Sequence, residues 1–123
     1  MKAKVLKFGL VGCGAMGGIV ARHLLTRWKG RARWAALCDV SAQKAAEMAI
    51  QAKVSAPVME LSRLIAASDW IVEAASAAAV PEILRQCIAR KKNLLVMSSG
   101  GLLSCTILLR RAAKAGIRVV VPS

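Results

Sequence analysis

The segment Gly12-Cys13-Gly14-Ala15-Met16-Gly17 follows an apolar run, Val5 to Val11, and leads into a stretch of helical spacing. Three glycines so spaced suit one task above all, the holding of a pyrophosphate. Gly12 permits a tight turn, Gly14 lets the backbone approach phosphate oxygens, and Gly17 lets the outgoing helix pack close to the strand. Ala15 and Met16 lie in the first turn of that helix, which offers free amides and about half a positive charge to an anion. Asp39 closes a second apolar run about 20 residues beyond Gly17, where an acidic side chain binds the hydroxyls of an adenosine ribose. A carboxylate there repels a 2′-phosphate and so favours NAD over NADP. Arg31, Arg33 and Lys44 are basic residues that could soften this preference. NAD is the expected cofactor, with NADP as the alternative.

Ligands of open α/β sheets bind beyond the carboxyl ends of the strands. Three later segments fall at such ends: Glu73-Ala74-Ala75-Ser76, Ser98-Ser99-Gly100-Gly101 and Pro122-Ser123. Ala75, Ser76, Ser98, Ser99 and Gly100 are therefore candidate cofactor contacts, although serines there equally suit helix caps and turns. No residue qualifies as a catalyst. His23, the single histidine, falls on the side of the first helix with Ile19, Thr26 and Arg27. Val20, Leu24 and Trp28 form another side, which is expected to face the sheet. The cysteines Cys13, Cys38, Cys87 and Cys105 contain no CxxC pair, and with one histidine they make no metal site. They read as small thiols in a reducing compartment, Cys13 among them rather than as a redox switch.

The elements that must position these residues alternate. Val5–Val11, Trp34–Asp39, Val54–Pro57, Trp70–Glu73, Asn93–Ser98 and Arg118–Val121 read as strands. Helices are expected from the glycine loop to about Lys29, from a Ser41 cap to about Ala52, over Glu60–Ala67, from Val80, and from about Cys105 to Ala115, where Gly116 stops the last. The helix from Val80 is the clearest, because Val80, Ile83, Leu84, Cys87 and Ile88 form one apolar stripe and Pro81 suits its first turn. Alternation of this kind predicts an α/β fold: a single Rossmann-type domain with a doubly wound parallel sheet of six strands, in the order 3-2-1-4-5-6.

The whole chain agrees with a small aliphatic core. Of its 123 residues, 57% are hydrophobic but only 3% aromatic, which suits strands buried on both faces. The basic start runs into the glycine loop and not into a cleavage site, so a leader is not expected. The uncharged stretch Asn93–Leu109 is broken by Ser98-Ser99-Gly100-Gly101 and falls short of a membrane span. A cytoplasmic protein without membrane contact is expected. The net charge of +13 admits anionic partners, but the basic residues are scattered and no aromatics alternate with them, so a dinucleotide is favoured over nucleic acid.

Together, Gly12-Cys13-Gly14-Ala15-Met16-Gly17, Val72-Glu73-Ala74-Ala75-Ser76, Ser98-Ser99-Gly100-Gly101-Leu102 and Val119-Val120-Val121-Pro122-Ser123 resemble the N-terminal NAD-binding domain of the L-aspartate dehydrogenase family. The first segment is generic; the other three, in that order, are more specific. The resemblance covers nearly the whole chain. It implies an oxidoreductase that oxidises L-aspartate to iminosuccinate, a precursor in NAD biosynthesis, with NAD or NADP, or runs the reverse reaction. It further implies a second domain that carries the substrate pocket and a catalytic histidine, and a Gly-Ala continuation after Ser123 whose alanine meets the cofactor. Residues 1–123 are thus expected to be the dinucleotide-binding domain, with the substrate domain absent from this chain. They should bind the cofactor with little turnover and engage L-aspartate or a related small substrate only alongside a second domain. An apolar end near Pro122 could support a homo-oligomer. Two alternatives stay open: another two-domain dehydrogenase or reductase, of the dihydrodipicolinate reductase or sugar-oxidoreductase groups, and a non-catalytic NAD-sensing regulatory module.

Overall fold

The computed structural model describes residues 4–122. Its elements are β1 (Leu6–Val11), α1 (Ala15–Arg27), β2 (Ala32–Cys38), α2 (Ala42–Ala52), α3 (Leu61–Ala67), β3 (Trp70–Glu73), α4 (Val80–Arg90), β4 (Asn93–Val96), α5 (Thr106–Ala115) and β5 (Val119–Val120). Short 3-10 turns at Ala77–Ala79 and Ser99–Leu102 follow β3 and β4. The strands form one parallel sheet in the order β2-β1-β3-β4-β5. Among the described residues no helix is long and apolar enough to cross a membrane.

Among the described residues the sheet has five strands where six were expected. Val54–Pro57 does not form a strand; the segment makes a single parallel bridge, Val58 to Leu37, on the outer edge of β2. Leu37 donates to the Pro57 carbonyl at 2.9 Å, and Met59 donates to the Leu37 carbonyl at 2.8 Å. The next rung would need an N–H at position 57, and proline has none. The bridge lies where the third strand of a doubly wound sheet belongs, so the order is kept and one strand is lost. The last strand is also shorter than expected, two residues instead of four.

The two-residue period of the strands sorts the core onto two faces. Val11, Ala36, Ile71, Leu94 and Val96 point to the side covered by α3, α4 and α5. There the stripe Val80, Ile83, Leu84 and Cys87 of α4 is fully buried, as its spacing requires. Leu10, Leu37 and Val72 point to the other side, where Ala21 and Leu24 of α1 and Ala45 and Met48 of α2 cover β1 and β2. Right-handed crossovers explain the division, since the chain winds one way from β1 to β2 and the opposite way from β3 to β5. Among the described residues, no helix lies on the α1 side of the sheet beyond β1. Phe8, Trp70, Val72, Leu95 and Met97 floor an apolar hollow of about 500 Å³ there. Phe8 stacks on Trp70, with ring centroids 6.4 Å apart, and meets Trp34 edge-on.

Candidate functional site

The carboxyl ends of β1, β2 and β3 open into a cleft of about 610 Å³. It is lined by Gly12 and Gly14 after β1, Asp39 and Val40 after β2, and Ala75 and Ser76 after β3, with Lys44 of α2 and Glu82 of α4 at its border. The chain turns sharply at Gly12, whose φ of +99° lies in the left-handed region. A side chain at Gly12 would lie 2.5 Å from the Ala74 backbone. One at Gly17 would collide with the Gly12 carbonyl, so α1 packs tight against the turn. Gly14 differs, because a Cβ built on it meets nothing within 4 Å and would point into open space. Gly14 also caps α1, which has no side-chain cap and no acidic residue in its first turn. The helix therefore presents amides and positive potential that no side chain has claimed.

Asp39 is built into this loop. Its Oδ2 accepts from the Cys13 amide at 2.8 Å and its Oδ1 from the Ser41 amide at 2.9 Å. Gly12 in turn donates to the Cys38 carbonyl at 2.8 Å. The carboxylate thus joins the glycine loop to the start of α2, which Ser41 caps by accepting from the Lys44 amide. Each oxygen has one protein donor, and a carboxylate has about four acceptor positions, so acceptors remain for two ribose hydroxyls. Open space over Gly14, unclaimed amides and these spare acceptors fit a dinucleotide laid across the strand ends.

Cys13 is buried beneath the loop, and its thiol donates weakly to the Cys38 carbonyl at 3.5 Å. Burial, then the nearby Asp39 charge and Cys38, push its pKa up to about 11. Burial also raises that of Cys38, with Asp39 and Glu60 adding to it. At neutral pH Cys13 is therefore a protonated thiol, poorly suited to attack or oxidation. Among the described residues no three His, Cys, Asp or Glu side chains gather as a metal site.

The structure brings together Gly12, Gly14, Asp39, Ala75 and Ser76, with Gly17 packed beneath them. Ala15 faces an adjoining hollow between α1 and α2, shared with Gly14, Arg22 and Lys44. Met16 is half exposed and borders the apolar hollow on the other side of α1. Ser98, Ser99 and Gly100 lie beyond β4 and outside the lining of the cleft; Ser98 is bonded to Glu73, and the other two are exposed. Arg31 and Arg33 flank the amino end of β2, a strand's length of about 20 Å from Asp39. Arg31 instead sits over the Trp28 ring, 4.8 Å from its centroid. Of the three basic residues only Lys44 reaches the cleft. His23 is exposed on α1 and borders the apolar hollow, away from the strand ends. Sequence reasoning missed Val40 and Glu82 as lining residues, and it missed the buried partners of Glu73. The one visible signal for the last was a carboxylate closing the apolar run Trp70-Ile71-Val72.

Comparison with known proteins agrees with this geometry. A family model described as the NAD-binding domain of homoserine dehydrogenase matches residues 12–123. An L-aspartate dehydrogenase from Methanosarcina acetivorans is 37% identical over 99 residues, which cover 80% of this chain and 36% of the relative. The L-aspartate dehydrogenase of Methanocaldococcus jannaschii is 32% identical across 97% of this chain and 46% of its own length. The chain thus spans less than half of these relatives. Among solved structures, scyllo-inositol dehydrogenase from Lactobacillus casei superposes with a TM-score of 0.84 at 16% identity, covering 98% of this chain and 37% of that one. GenD2 from gentamicin A biosynthesis, solved with NAD, gives 0.80 at 24% identity over 98% of this chain and 35% of its own. These two likenesses establish the fold alone. From the family match and the sequence relatives, the chain belongs to the homoserine dehydrogenase type of NAD-binding domain, in the form carried by the L-aspartate dehydrogenase family.

Proposed function

We propose that this chain is the cofactor-holding part of an oxidoreductase that interconverts L-aspartate and iminosuccinate. The observation that carries this is the similarity to L-aspartate dehydrogenases across 97% of the chain, at 32% identity. Gly14 and the first amides of α1 would hold the pyrophosphate, Asp39 the adenosine ribose, and Ala75 and Ser76 one wall beyond β3. Bound there, NAD supplies the hydride acceptor for amine oxidation. The chain's own residues bind and orient; they do not move protons. His23 is remote from the cleft, and Glu82 and Lys44 at its border have no histidine or tyrosine beside them. We therefore place the clamp for the substrate carboxylates, and the general acid, on residues outside these 123.

The test joins this chain to the part of the M. jannaschii relative that follows the matched region, and follows NADH absorbance. Aspartate-dependent reduction of NAD by the hybrid, with a silent isolated chain, is the expected result. Turnover by the isolated chain at ordinary dehydrogenase rates, about 1 to 1000 per second, would overturn the assignment of catalysis to other residues. A folded, NAD-binding hybrid that ignores aspartate would overturn the substrate assignment.

A further inference from the structure

β3 ends in the only charged side chain of its four residues, and that side chain is fully buried. Glu73 accepts three hydrogen bonds: from the Ala75 amide to Oε2 at 2.8 Å, from the Ser98 amide to Oε1 at 2.8 Å, and from the Ser98 hydroxyl to Oε2 at 2.7 Å. One carboxylate therefore fastens the loop after β3 to the loop after β4. The two loops also pack without a gap. A side chain at Gly101 would collide with the Ala77 carbonyl and lie 2.6 Å from the Val80 Cβ. The same β3 loop leans on the glycine turn, since the Ala74 amide donates to the Val11 carbonyl at 2.8 Å.

Burying a carboxylate costs several kcal/mol unless it is fully bonded, and an apolar residue would end a buried strand at no such cost. What Glu73 achieves that an apolar residue cannot is to fix the height of Ala75 and Ser76 above the sheet. The sheet order tells which half of the dinucleotide meets them. Asp39 lies at the end of β2 and the glycine loop at the end of β1, so the molecule, continuing in that direction, passes over β3 and then β4. That places its nicotinamide half against the wall that Glu73 holds.

We propose that Glu73 is a positioning residue for the nicotinamide half of NAD, acting through Ala75 and Ser98 without touching the cofactor. The inference rests on the reading of the cleft as a NAD site. It is tested on the full 123-residue chain by calorimetric titration with NAD and with ADP-ribose, which lacks only the nicotinamide ring. The native chain is expected to bind NAD about fivefold more tightly than ADP-ribose, the worth of roughly one hydrogen bond. In Glu73→Gln the two should bind equally, with ADP-ribose affinity kept within about twofold, the ordinary spread for a site left untouched. Ser98→Ala, which removes a single bond, should shift the ratio the same way by less, and it decides the matter if Glu73→Gln does not fold. A native ratio retained in the folded variants would overturn the proposal, as would equal losses for both ligands, which mark a general structural role. Failure of the native chain to bind ADP-ribose would show instead that the NAD site itself is misplaced.

Discussion

Asp39 holds two backbone amides at the position proposed for ribose binding, so two purposes would meet in one carboxylate. The spacing from Gly17 points to it as the proposed ribose ligand, but nothing in the sequence showed that its oxygens already hold the Cys13 and Ser41 amides. Spacing reports which groups can meet a ligand and is silent on which backbone donors compete for them. The same blindness hid Glu73, whose partners stand 25 residues away at Ser98. The two purposes of Asp39 can be separated by measurement. A carboxylate and a 2′-phosphate about 4 Å apart repel by on the order of 1 to 4 kcal/mol, so the native chain should bind NAD at least several-fold more tightly than NADP. Asp39→Asn should narrow that ratio. It should also lower stability by about 1 to 3 kcal/mol, because two amides lose a charged acceptor. Titration with both dinucleotides reads the first effect and thermal melting the second. An unchanged ratio in the variant would count against Asp39 as the selector.

Helix ends and strand edges were read with uneven success, for identifiable reasons. Ser41 and Gly116 were legible because their chemistry is local: a hydroxyl capping an amide three residues on, and a glycine at φ +77°. The ends of α2 and α4 were not, since they close on lysines, Lys53 and Lys91, in the left-handed conformation at φ 56° and 55°. A lysine there gives no sequence signal, and the surrounding fold imposes the strain. The lost third strand has a similar origin, because Pro57 can accept a rung from β2 but cannot return one. Left-handed backbone costs a non-glycine residue roughly 1 to 2 kcal/mol, partly offset by glycine's greater freedom in the unfolded chain. Lys91→Gly should therefore raise the melting temperature by about 2 to 5 °C. Ser41→Ala should lower stability by about 1 kcal/mol through loss of the α2 cap. Thermal melting of both variants checks the pair; a destabilised Lys91→Gly would mean that the Lys91 side chain contributes more than its backbone strain costs.

At the scale of the molecule, alternation of strand and helix was enough to give a parallel doubly wound sheet and its switch point between β1 and β3. It was not enough to show that, among the described residues, the α1 side of the sheet beyond β1 carries no helix, because that depends on where every crossover lands. The apolar hollow on that side is floored by half-buried Phe8, Trp70, Leu95 and Met97, residues apart from the apolar end near Pro122 that the sequence pointed to. The cleft lies at the carboxyl ends of β1, β2 and β3, and the proposal that it holds NAD rests on the open space over Gly14. Calorimetric titration of the purified chain with NAD, beside Gly14→Val, tests that most directly. A Cβ at Gly14 meets no protein atom within 4 Å, so the variant should melt within a few degrees of the native chain. One-site NAD binding by the native chain and none by the folded variant is the expected result; equal affinity in both would place NAD elsewhere.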